Sequence, residues 1–520
     1  MKSVNQTCGH SFLGHFPRLL HILKPLIYGC LLSVLAPAAA SDTEAPTPAP
    51  NIVILFTDDL GWGDLGAFGH PYIKTPSLDQ LAAEGQQWTD FYVPAPVCSP
   101  SRAALLTGRH PVRTGLYGVG TPVMFPGDTR GIPHSEITLA EALKAKGYST
   151  AIMGKWHLGD APDFFPTRHG FDYWFGIPYS NDMQFVGRPG VEDLFRLQQA
   201  GKTNELMQIF SDFLKSFEAP DYREYNVPLW RSRCSNSGCT DELLEQPAVQ
   251  PTLTTRLTKE AVQFINAQGD EPFFLYLPYT MPHLPIFADT PFQGKSLAGP
   301  YGDTIEEIDW SVGEIIKALK ARGVSDNTLV FFSSDNGPWQ SASTEFAGSA
   351  GPFKGSKREV YEGGVRVPTV FWWPGRITPK VTADIGSVLD LFATISAITG
   401  IDGSTAIDGF DLSNALFTGG ASPRDEVALY RKGELRAYRK GDYKLHLFDR
   451  AEGGEPLETP ELYNLKRDLA ERDNLATSQS DTLMALQAAV AKHQAAMERK
   501  PPLFDQRFLE LIHNDRVREQ

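Results

Sequence analysis

Four apolar runs punctuate the chain: NIVILFT (51–57), YSTAIM (148–153), PFFLYLPY (272–279) and NTLVFFSS (327–334). Unbroken apolar runs of this length predict strands buried on both faces, as in a parallel sheet covered by helices. The last three each follow a segment with apolar residues at helical period that stops at glycine: TLAEALKAKG, TKEAVQFINAQG and DTIEEIDWSVGEIIKALKARG. Helix, strand, then polar cluster, repeated, predicts an α/β sheet of mostly parallel strands, whose ligands bind beyond the strands' carboxyl ends. The residues delivered there are Asp58 and Asp59, Lys155 and His157, His283, and Asp335 with Asn336.

Between these units the pattern weakens. Residues from about Arg188 to Thr252 are polar and motif-poor and read as an elaboration over the sheet. A helix is expected near Val388–Thr399. From Ser422 onward short alternating pieces (EVALYR, LRAYRK, YKLHLF) precede a terminal helix within Asp481–Arg499. These predict a smaller α+β subdomain on a short antiparallel sheet. The expected organisation is a signal peptide over 1–40, a disordered leader over 41–50, a catalytic domain over 51–415 and a C-terminal subdomain over 416–520.

The leader predicts export. Its charged side chains are Lys2, Arg18 and Lys24, followed by the apolar run Leu26–Leu35 and the small-residue stretch ending at Ala40. That run is too short to span a bilayer, so no stable membrane anchor is expected. A formal charge of −14 argues against nucleic acid as the main partner. Any anionic substrate then needs a local basic pocket. Of the cysteines beyond the leader, Cys234 and Cys239 share a Gly/Ser/Asn loop, read as a local disulfide with two free thiols as the alternative. Cys98 is left over, which marks it as a candidate reactive thiol.

Asp58, Asp59, Asp335 and Asn336 offer only oxygen, a donor set for a hard cation such as Ca2+ or Mg2+. Lys155, His157 and His283 add positive or proton-moving groups beside it. A cation and basic residues at one sheet edge suit a small, multiply charged oxyanion; sulfate and phosphate esters both fit. Cys98 opens a helical segment, SPSRAALLT, with Pro100 early in it. The helix start favours anions, and Arg102, one turn along, can face the same ion.

CSPSR (98–102) resembles the Cys-x-Pro-x-Arg signature of type I sulfatases in the alkaline-phosphatase-like superfamily. LFTDDLGWGDLG, GKWHLG, GIPYSND, MPHLP, DNGP and GSKREVYEGGVRVP follow in family order, and the likeness is strongest to the arylsulfatase A branch. The resemblance implies an alkaline-phosphatase-like fold and oxidation of Cys98 to Cα-formylglycine (3-oxoalanine) by a formylglycine-generating enzyme. It implies Ca2+ bound by Asp58, Asp59, Asp335, Asn336 and residue 98. Arg102, Lys155, His157, His283 and Lys357 correspond to sulfate-binding and proton-transfer residues, and Ser180 to a serine near the sulfate. By the same resemblance Asp335 takes the attacking hydroxyl's proton, His283 protonates the leaving alcohol and His157 regenerates the aldehyde. Around Lys357 this chain reads Arg-Glu where the family has Gly with Ser or Thr.

The expected activity is hydrolysis of sulfate monoesters, of sulfated carbohydrates above all, with aryl sulfates as artificial substrates. The rival readings are a phosphonate or phosphate monoester hydrolase, and an inactive sulfated-glycan-binding protein should Cys98 stay unconverted. Arg168, His169 and Trp339 are candidate sugar contacts. Beyond the leader no Asn-x-Ser/Thr sequon occurs, which points to a bacterial periplasmic or extracellular enzyme rather than a lysosomal one.

Overall fold

The computed structural model describes residues 48–340, 343–401, 406–449 and 454–519. The signal peptide and most of the expected leader lie outside them. The strands of the main sheet are β1 (Asn51–Thr57), β2 (Gln86–Tyr92), β3 (Ser149–Met153), β4 (Tyr173–Gly176), β5 (Leu229–Ser235), β6 (Gly238–Glu245), β7 (Phe273–Pro278), β8 (Thr328–Ser334), β9 (Arg366–Trp372) and β10 (Lys380–Ser387). Their order is β10-β2-β9-β8-β1-β7-β3-β4-β5-β6.

The core β8-β1-β7-β3-β4 is parallel throughout. β9 is antiparallel to both β2 and β8, and the hairpin β5–β6 closes the far edge. The sheet is therefore mostly parallel, as the helix–strand repeat predicts. Alternation along β1 shows why its run is unbroken: Val53 and Leu55 enter the core on one face, Ile52, Ile54 and Phe56 that on the other. Helices Leu253–Ala267 and Gly299–Arg322 cover the first face; Cys98–Thr107 and Asp390–Thr399 lie in the second.

The segment from Arg188 to Thr252 is more regular than its composition suggests. It holds two amphipathic helices, Val191–Gln199 and Thr203–Lys215, and then the hairpin that extends the sheet. Across that hairpin Cys234 and Cys239 are joined as a disulfide with Cα atoms 4.0 Å apart.

The second sheet runs β11 (Glu426–Arg431), β12 (Glu434–Lys440), β13 (Tyr443–Phe448), β14 (Pro456–Asn464), antiparallel throughout. Leu486 and Val490 of helix Ser480–Ala496 pack in its own core with Tyr430, Tyr438, Leu445 and Leu462. A further helix, Gln506–Glu519, follows. Between the two sheets lies a buried ionic network. Lys444 bridges Glu362 at 2.9 Å and Glu471 at 3.0 Å, Arg366 pairs with Glu362 and Asp90, and Arg439 reaches Asp90 and the Tyr92 hydroxyl. Buried charges survive only when paired, so this network fixes the register of one sheet on the other.

Candidate active site

β1, β8, β7 and β3 end at the same edge, and the polar clusters that follow them meet there. Asp58, Asp59, Cys98 and His283 each turn a donor atom into one group whose members lie within 4.8 Å of one another. Asp335 borders it: Oδ1 accepts the Asp59 N–H at 3.2 Å, while Oδ2 is held by Arg102 Nε at 2.8 Å. The amide of Asn336 donates to Asp59 Oδ1 at 2.7 Å and to the Gly337 carbonyl, leaving its own Oδ1 buried without a partner. A buried oxygen so placed beside carboxylates fits a hard cation among Asp58, Asp59, Asp335, Asn336 and residue 98.

Three cations answer the three carboxylates. Lys155 Nζ donates to Asp58 Oδ2 at 2.6 Å and to Ser180 Oγ at 3.1 Å. Lys357 Nζ lies 2.9 Å from Asp59 Oδ2 and 4.9 Å from the Trp339 ring centre. Arg102, wholly buried, spans Asp335 and Asp58. Burial alone would raise the Asp58 carboxyl, but Lys155, His283, Arg102 and Lys357 together hold it well below the usual carboxylate range. Asp335 goes the other way: burial, with the Asp58 and Asp59 charges, lifts it to about 7 against Arg102 and Lys155.

Cys98 begins the helix Cys98–Thr107, whose N-cap Val97 makes no side-chain cap, so the first N–H groups have no capping acceptor. Its Sγ lies 3.4 Å from Asp58 Oδ1. Burial pushes the thiol pKa far up, outweighing the opposite pull of Lys155 and Lys357. As a thiol, residue 98 is a poor nucleophile here, since the thiolate is the reactive form.

The two histidines are held differently. His283 Nδ1 faces Asn181 Oδ1 at 3.2 Å and the Leu284 carbonyl, while Nε2 faces Ser180 Oγ at 3.2 Å. His157 Nε2 faces the Met124 carbonyl at 3.0 Å, leaving Nδ1 without a partner. Burial keeps both rings below their ordinary pKa, with Lys357 adding to the effect at His283 and Lys155 at His157. Asp59 and His157 have φ of 66° and 61°, a left-handed backbone that non-glycine residues seldom adopt. The backbone around them is crowded: a Cβ on Gly154, just before Lys155, would come 1.9 Å from the Pro278 carbonyl oxygen.

The eleven residues that the sequence assigns to the cation, the sulfate and proton transfer thus meet at this edge. Asn181, inside the GIPYSND stretch, received no role from sequence although it anchors His283; its amide also donates to Gln250 and the Pro285 carbonyl. Of the candidate sugar contacts, Trp339 lines the cavity over Cys98, 5.2 Å from the His283 ring. Arg168 is instead tied to Asp241 in a two-pronged ion pair, and His169 is fully buried in a stack with His134. Neither faces that cavity.

With this geometry in hand, the family follows. The chain belongs to the sulfatases: the Sulfatase family model matches residues 50–401, and that of the C-terminal region of aryl-sulfatase matches residues 422–513. It is a sulfuric ester hydrolase of a family that acts on sulfate esters of sugars or aryl groups. N-acetylgalactosamine-6-sulfatase of Mus musculus is 39% identical over 431 residues, 80% of this chain and 75% of that protein. Arylsulfatase A of Homo sapiens is 39% identical over 451 residues, 82% and 83% of the two chains. The PsFucS1 sulfatase of Pseudoalteromonas sp. shares the fold at a TM-score of 0.70 and 29% identity, covering 87% of this chain and 92% of that one.

Proposed function

We propose that this sulfatase works through a formylglycine made from Cys98, at a site that holds one Ca2+. The observation that carries this reading is residue 98 itself: a buried, protonated thiol at an uncapped helix start, ringed by Lys155, Lys357 and Arg102. That environment suits an oxyanion and wastes a thiol. Asp58, Asp59, Asp335, Asn336 and residue 98 would hold the cation. Bound there, Ca2+ supplies positive charge to the sulfuryl oxygens and the hydrated aldehyde supplies the attacking oxygen.

The chain's own side chains do the rest. Arg102, Lys155 and Lys357 stabilise charge on the transferring group, with Ser180 bridging Lys155 and His283. Asp335, its Oδ2 held by Arg102, takes the proton of the attacking hydroxyl. His283 keeps its Nδ1 hydrogen on the Asn181 Oδ1 and Leu284 carbonyl acceptors, so it acts by taking up a proton at Nε2, which the arriving anionic ester favours, and giving it to the leaving oxygen. His157, whose Nδ1 has no protein partner, takes a proton from the hydroxyl on residue 98.

A sulfated carbohydrate is the proposed substrate class, supported by relatives named for N-acetylgalactosamine 6-sulfate and by a neighbour solved with neocarrahexaose. The reading includes export to the periplasm or beyond after removal of residues 1–40, and a functional boundary near 415/416. Among the described residues no helix is long and apolar enough to cross a membrane. Mass spectrometry of the peptide bearing Cys98 tests the mechanism: CH2SH must be replaced by CHO in protein that turns over aryl sulfates. An intact thiol in fully active protein rules it out. Faster turnover of phosphonate than of sulfate monoesters would move the protein to the phosphonate hydrolases.

A further inference from the structure

Above Cys98, His157, Ser180, His283 and Lys357 the site opens into a cavity of about 1050 Å3, far larger than a sulfate group. Its floor is polar; its walls are largely apolar, with Arg188, Glu192, Asp193, Arg358 and Arg507 among them. Helix Thr203–Lys215 presents Leu206, Ile209, Phe210 and Phe213 to it, spaced at i, i+3, i+4 and i+7. Such a stripe ordinarily packs into a core. Here none of the helix's residues is fully buried, and Phe210 is 47% exposed. Phe213 packs against Phe185 and Phe217 at the core's edge, while Leu206, Ile209 and Phe210 line open space beside the site.

Aromatic contacts run without a break from the chemistry to this wall. The His283 ring lies 5.2 Å from Trp339, Trp339 lies 5.6 Å from Phe217, and Phe217 lies 4.7 Å from Phe213. The neighbouring helix Val191–Gln199, which also lines the cavity, is tied to the C-terminal helix. Arg507, from the C-terminal helix, pairs with Glu192 at 2.7 Å, and the Phe195 and Phe508 rings meet at 4.8 Å. A largely apolar chamber, continuous with a charged floor, matches a ligand with an anionic head and an apolar body.

We propose that the alcohol released by this enzyme carries an apolar body, seated in the chamber against helix Thr203–Lys215. This inference rests on the sulfatase reading and deepens it. The sulfate ester is an amphiphile, and the apolar body is borne either by an aryl alcohol or by a sugar through its aglycone. Sulfate binds the floor, and the chamber contributes affinity in proportion to the apolar area it covers.

Two substrate series test this with the formylglycine-bearing enzyme: 4-methyl-, 4-butyl- and 4-octylphenyl sulfate, and methyl, butyl and octyl N-acetylgalactosaminide 6-sulfates. Within a series the leaving oxygen is unchanged. The expected result is a rise in kcat/KM of about fourfold per buried methylene, equivalent to about 0.8 kcal/mol, carried mainly by KM. A rise in the aryl arm alone assigns an aromatic alcohol; a rise in the glycoside arm assigns a sugar with an apolar aglycone. Phe210→Glu, at a half-exposed position, is expected to flatten the slope by more than half. Turnover of the short members with no slope in either arm overturns the chamber's role and leaves the sulfatase reading standing. No turnover of any member by converted enzyme takes both down.

Discussion

Lys155 Nζ donates to Asp58 Oδ2 at 2.6 Å, with both side chains wholly buried. Removing Lys155 takes away the shortest ion pair of a carboxylate kept from water and leaves it to Arg102 at 3.5 Å. Lys155→Met is expected to lower kcat/KM by about 10^3 and to cost roughly 3 kcal/mol of stability. Aryl sulfate turnover and a urea melt give the two numbers; a variant as active as its parent would remove Lys155 from the site.

The backbone behind Asn336 admits no side chain. A Cβ on Gly337 would stand 1.8 Å from the Gly363 carbonyl oxygen, a backbone atom with little room to give. Gly337→Ala is expected to destabilise the protein by about 2 kcal/mol or more and to weaken the response of activity to added Ca2+ at the proposed cation site, by displacing Asn336. Calorimetry and a Ca2+ titration of activity check both; an unchanged melting temperature contradicts the crowding argument.

Lys444 ties Glu362 to Glu471 with no exposure at any of the three side chains. Lys444→Met should cost about 3–5 kcal/mol, because two carboxylates lose their common partner. The double variant Lys444→Met with Glu362→Gln should recover part of that loss. Additive losses in the double-mutant cycle would show that the two residues are not coupled.

Glu307, on helix Gly299–Arg322, is 1% exposed. Burial raises its carboxyl from 4.5 to about 7, against hydrogen bonds from the Asp289 N–H and Thr255. A raised folded pKa means the native state holds the proton more tightly than the unfolded chain. Its contribution is therefore full below about pH 4.5 and lost as pH rises through 7. Relative to Glu307→Gln, the wild type should lose about 3 kcal/mol of unfolding free energy across that window. Urea melts of both proteins at several pH values measure it; a constant difference refutes the assignment.

How much of this was legible depends on where each residue's partners lie. β1, β3, β7 and β8 can be read because burial on both faces demands unbroken apolar runs. β2, QQWTDFY, cannot, because its polar residues find partners remote in sequence. Gln86 donates to the Ala415 and Leu416 carbonyls, and Asp90 pairs with Arg366 and Arg439. The candidate catalytic residues are legible because strand ends and a motif carry them. Asn181 is not, since its role exists only once His283 arrives from β7. Helix Thr203–Lys215 shows why the chamber is invisible in sequence: an apolar stripe reads the same whether it faces a core or a ligand.

Glu471, in the loop after β14, accepts the Glu362 amide N–H at 2.8 Å, and its own carbonyl accepts from Lys354. Lys354 and Glu362 bracket the turn that presents Lys357. The loop that leaves the smaller sheet is thus the backstop of the turn that carries Lys357, and the C-terminal region is no removable appendage. Proteolytic processing between the two regions should be silent only while the fragments stay clasped. A nicked enzyme that loses its tail in denaturant is expected to lose Lys357's placement, and turnover, before the parallel sheet melts.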